Sequence, residues 1–122
     1  MVCDQFLFGV DLFNAGYWWE CHEAMENLWH VAGRGSGAGH TLQAVILCAT
    51  AHLKVIGGNL RGARLLFENA ERQVFRAENN DLGLDLIGML ADTGAFVTGD
   101  TSEPAFLPLK KNQPDFPDGD SG

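Results

Sequence analysis

Between Gly16 and Trp29 the chain reads GYWWECHEAMENLW, which sets His22, Glu23 and Glu26 among tryptophans within about four helical turns. On a helix His22 and Glu26 stand at i and i+4, so they are neighbours on one face. With Glu23 next to His22, the spacing is that of the zinc-protease pattern His-Glu-x-x-His, with glutamate in place of the second histidine. In that chemistry the outer pair holds a divalent metal and the inner glutamate acts as a base. His22 and Glu26 are therefore candidate metal ligands, His30 or His52 would have to supply a third, and His22, Glu23 and Glu26 are the candidate catalytic residues. The competing reading is structural, because a histidine and a glutamate beside buried tryptophans can simply hydrogen-bond across a helix interface.

These residues need a helix to carry them. At about 100° per residue, Leu28, Cys21, Ala32, Met25, Trp18 and Trp29 form one apolar arc with His22 at its edge and Glu26 just beyond. The arc must face a core, which leaves His22 and Glu26 at the border with solvent, where partial desolvation strengthens charge pairing. The pocket expected there is lined by Trp18, Trp19 and Trp29, with His52 and Arg64 contributed by other helices.

The periodicity predicts an all-α, compact bundle of about five helices. The first covers Asp4 to Asn14 and stops at Ala15-Gly16; the second runs from about Tyr17 to Ala32. Residues 33–39 read as a flexible connector, too glycine-rich to be helical and without the ending of a nucleotide-binding loop. A third helix, His40 to Ile56, is apolar almost all round and so is central or covered by another chain. Within it Gln43, Thr50 and His52 are buried polar groups that need partners.

Gly57-Gly58 ends that helix and Asn59 caps the next, Leu60 to about Glu78, with Ala63, Leu66, Phe67, Ala70, Val74 and Phe75 on its inner side. Arg64 on this helix is expected to pair with Glu20, Glu23 or Glu26, or else with Glu68 in an ordinary i,i+4 pair. Asp81 or Asp85 caps a closing helix. Residues 1–99 form the bundle and 100–122 a tail rich in proline and acid, whose Phe106, Leu107 and Leu109 would strap onto the body or a partner.

Composition narrows the function classes. The chain has 122 residues, 46% of them hydrophobic, enough for one domain with a core of its own. Cys3, Cys21 and Cys48 are odd in number and widely spaced, which argues for reduced buried thiols and a cytoplasmic setting. No signal-like or membrane-spanning run is present, and a net charge of −8 argues against nucleic acid as a partner. Cys21 points about 100° away from His22 on a helix, so a Cys-His nucleophile is not expected.

The chain resembles the domain-of-unknown-function 309 family of small, all-helical, mainly prokaryotic proteins. The resemblance rests on Phe13-Asn14-Ala15-Gly16, Trp19-Glu20, His22-Glu23-Ala24-Met25-Glu26-Asn27-Leu28-Trp29, Leu42-Gln43-Ala44-Val45-Ile46, His52, Gly58-Asn59 with Gly62-Ala63-Arg64, and Gly83-Leu84-Asp85. It covers about residues 6 to 92 and implies a bundle built from helix pairs, with no established activity. Ala44 stands where the family has glycine, and Leu47 where it often has a second glutamine.

Two functions are consistent with these features. One is a small-molecule or metal site around His22, Glu23 and Glu26. The other is a non-enzymatic helical module that self-associates, a homo-oligomer in which the same residues are structural.

Overall fold

The computed structural model describes residues 4–33 and 35–107. Among these are five α-helices and no β-strand: α1 Asp4–Ala15, α2 Trp18–Ala32, α3 Gly37–Ile56, α4 Leu60–Ala77 and α5 Leu86–Thr98. Helix α3 is central, packed by α2, α4 and α5, while α1 packs on α2. Its buried residues cover almost its whole circumference, as its apolar sequence requires.

The helix ends follow local chemistry. Gly16 takes a left-handed φ of +83°, which turns the chain between α1 and α2. Asn59 accepts the Gly62 N–H at 2.9 Å to cap α4, and Asp85 accepts the Gly88 N–H at 3.0 Å to cap α5. Asp81 instead closes the preceding turn on the Gly83 N–H.

Residues 37–39 belong to α3 rather than to a flexible connector. Ser36 caps the helix by accepting the Gly39 N–H at 2.9 Å. The glycines there serve close approach: a Cβ at Gly39 would strike the Gly33 carbonyl oxygen, and one at Gly37 would strike the Asn80 side chain. Helix α4 also differs from expectation. Ala63, Ala70 and Ala77 face inward at seven-residue spacing, and Phe75, roughly 140° round from Ala70, is 85% exposed rather than internal.

The main core joins Phe6, Val10 and Phe13 of α1, Trp18, Cys21 and Met25 of α2, much of α3, and Met89 of α5. It also contains Ala105 and Leu107, so the body extends past α5. Of the two destinations open to the tail, its described part takes its own chain. Leu109 and the rest of the tail, like Cys3, lie outside the described residues.

Candidate functional site

Helix α2 presents its two sides to different surroundings. Trp18 is buried and stacks on His52 of α3, with ring centroids 4.1 Å apart and planes 16° from parallel. His52 also stacks on Phe96 of α5 at 4.8 Å, and Phe13 meets the Trp18 and His52 rings edge-on. Every polar atom of His52 is committed. The Ala105 N–H donates to Nε2 at 3.0 Å, so Nδ1 must carry the ring proton and donates it to the Cys48 carbonyl at 2.8 Å. Burial among rings lowers the His52 pKa, opposed in part by the Cys48 carbonyl. His52 is thus a neutral core histidine holding the strap that follows α5.

One turn after Trp18 along α2, His22 is half-buried. Trp19, 54% exposed, lies flat on it, with centroids 5.0 Å apart and planes at 14°. The His22 Nδ1 atom is buried and has no hydrogen-bond partner. Glu26, the next residue along this stripe, is also half-buried. On α3, Gln43 has a buried Oε1 that likewise lacks a partner. The short connector runs α2 and α3 antiparallel, and Glu26 and Gln43 lie equally far from it along their helices, so they stand level with each other. Leu47 stands level with His22.

Along the packed α2–α3 pair, or seam, an imidazole, a carboxylate and an amide carbonyl thus fall within about two turns of the same level, and the exposed Trp19 indole stacks on the imidazole. Between α3 and α4, the His40 Nδ1–H donates to Gln73 Oε1 at 2.7 Å and Gln73 donates to Asn69. Thr50 is satisfied within its own helix by the Ile46 carbonyl at 2.8 Å.

The remaining expected residues are spread out. Glu23 and His30 are exposed, with His30 tilted against the half-buried Trp29 ring at 5.4 Å. Trp18 and His52 belong to the strap side of α2, not to the seam. Arg64 is exposed on α4, and among the described residues it makes no ion pair with Glu20, Glu23 or Glu26. The cause is architectural, since α2 and α4 both pack on α3, which keeps them apart. No group of three or more His, Cys, Asp or Glu side chains is placed to hold a metal ion among the described residues.

Cys21 and Cys48 are free and buried, and burial raises both thiols to about 12. The proximity of the two sulfurs adds to the shift at Cys21, whereas the nearby Thr93 hydroxyl opposes it at Cys48. Neither can serve as a thiolate nucleophile near neutral pH.

Sequence reasoning missed Asn14 as a working residue. Its carboxamide donates to the Leu107 carbonyl at 3.0 Å and accepts the Leu107 N–H at 2.5 Å, a two-point clamp on the strap. Its place in the Phe-Asn-Ala-Gly motif, just before a left-handed turn, was the available signal.

The stretch carrying both α2 and the seam, residues 6–66, matches the family model described as Domain of unknown function (DUF309). The chain belongs to the DUF309 family. In this DUF309 domain the matched residues cover α1, α2, α3 and the start of α4, hence His22, Glu26, Gln43, Asn14 and His52. No curated protein is similar enough to count as a match. No helix among the described residues is long and apolar enough to cross a membrane.

Proposed function

We propose that this DUF309 domain binds a small polar ligand at the α2–α3 seam, held by His22, Glu26 and Gln43. The observation that carries this reading is the pair of buried, unpartnered polar atoms, His22 Nδ1 and Gln43 Oε1, on facing helices. Such atoms cost about 1–3 kcal/mol each when left unpaired, and they are few in native proteins, so a pair beside a half-buried carboxylate supports a functional role. The chemistry of the set favours a ligand rich in N–H donors, such as an amine, amide or guanidinium. Gln43 Oε1 and the Glu26 carboxylate only accept, while His22 adapts. The indole of Trp19 adds a π-face at the rim, and the net charge of −8 attracts cations. A divalent metal would need a further ligand from outside the set.

The alternative function, a self-associating module, draws on the exposed apolar side chains Phe8, Tyr17, Trp19, Phe75 and Ile87. Native mass spectrometry of untagged protein purified without chelator separates the two. A retained small-molecule mass that disappears in Glu26→Gln supports the seam site. A clean oligomer without added mass, in wild type and variant alike, would return His22 and Glu26 to structural duty.

A further inference from the structure

The segment Thr101–Leu107 crosses the body without regular secondary structure, and its anchoring differs in kind from the packing of the helices. Its buried polar contacts are made by its backbone. Asn14 engages both the N–H and the C=O of Leu107, and His52 Nε2 accepts the N–H of Ala105. Side chains alternate: Ala105 and Leu107 are buried, while Pro104 and Phe106 are exposed. Backbone clamps with alternate residues seated in pockets are how extended peptides are recognised. The receiving residues, Asn14, Trp18 and His52, come from three different helices and would hold any chain with a small residue followed, two places on, by leucine. A cleft of about 180 Å³ between Asn14, Gly16, Trp18 and Pro104–Phe106 runs beside the strap, so the groove is not sealed over it.

We propose that this groove is a peptide-recognition site for an extended small-x-Leu segment, and that its occupant in trans is the same segment of a second copy of the chain. Every contact that closes the strap on its own body is available unchanged between two copies. Exchange alters only the hinge. That hinge is held by bonds from the Asp100 and Thr101 N–H groups to the Ala95 carbonyl, at 2.9 and 3.4 Å, and by a Thr101–Glu103 turn. It is mostly exposed, and Pro104 biases the residue before it toward extended backbone. A hinge of this kind, feeding a self-complementary groove, permits exchange of identical elements between protomers. At low concentration the tethered strap wins, because its effective concentration is of order millimolar.

The test uses the full chain carrying Leu107→Asp, which puts a carboxylate in an apolar pocket and expels the strap while leaving the groove intact. A fluorescein-labelled peptide, TSEPAFL, is titrated and followed by anisotropy, with helicity checked by circular dichroism. The peptide is expected to bind the variant at least tenfold more tightly than wild type, whose own strap competes. A peptide with Phe106→Asp should bind as well, and one with Leu107→Asp should not. If Leu107→Asp loses its helical signal, Leu107→Ala replaces it and the same ordering is required. Wild type refolded at millimolar concentration should yield a dimer on light scattering that the Leu107→Asp chain does not form. A folded variant that ignores the peptide overturns the recognition site, and wild type that stays monomeric under those conditions overturns the exchange.

Discussion

Replacing Leu107 with alanine tests whether the strap belongs to the folded unit. The side chain is 0% exposed and sits in the main core, whereas its neighbour Phe106 is 55% exposed. Leu107→Ala removes three carbon atoms, worth about 2.4 kcal/mol at roughly 0.8 kcal/mol per methylene. The cavity left behind raises the expected cost to about 3 kcal/mol, inside the roughly 2–5 kcal/mol seen for buried leucine truncations. The bonds to Asn14 come from the Leu107 backbone and survive the change. Urea denaturation followed by tryptophan fluorescence measures the effect. With m of roughly 1–3 kcal/mol/M, the midpoint should fall by about 1 M or more. Phe106→Ala, the control, should stay within about 0.5 kcal/mol of wild type, as exposed substitutions do. Equal shifts for the two variants, or under about 0.5 kcal/mol for Leu107→Ala, would refute the strap's place in the core.

Stability should also depend on the protonation of His52. Its pKa is lowered in the fold, so below pH about 6.5, its ordinary value, the unfolded chain takes up a proton that the folded chain refuses. Stability is therefore fully present above that pH and lost as pH falls through the window below it, by at most about 1.4 kcal/mol per unit for this group. Urea titrations at pH 7.5 and 5.0 should show a smaller loss in His52→Phe than in wild type; an equal loss would assign the slope to other groups. Cys21 and Cys48 should resist iodoacetamide at pH 8 in the native protein and react once it is denatured, as peptide mapping would show. Native-state labelling would mean that α2 and α3 separate more readily than their packing implies.

The helix pattern was legible because most boundaries carry local signals. Gly16, Asn59 and Asp85 each stop or cap a helix through chemistry contained within three or four residues. Residues 37–39 misled because glycine at close approach has the same composition as glycine in a flexible loop; only the facing Gly33 carbonyl and Asn80 side chain distinguish them. Phe75 misled because the arc assigned to α4 was wider than the narrow alanine stripe that α3 accepts. His22 and Glu26 were readable from their spacing, and Gln43 from being a polar residue on an apolar helix.

What spacing could not supply was the division of α2 into two sides, which sends Trp18 and His52 to the strap and leaves His22 and Glu26 at the seam. The strap's anchors lie 53 and 93 positions away from their partners, beyond the reach of any local periodicity. Arg64 was placed by charge complementarity alone. Without the order of helices around α3, nothing in the sequence forbade it a place beside α2.

The seam reading is tested most directly by Gln43→Met, which keeps the length of the side chain and removes the buried carbonyl oxygen. Replacing an unpartnered buried acceptor with an apolar group of similar shape removes its desolvation penalty, so the variant should be more stable by about 1–3 kcal/mol in urea. It should also lose the retained ligand mass. A variant that is instead destabilised would show that Gln43 is satisfied within the fold, and would contradict a ligand site built on it.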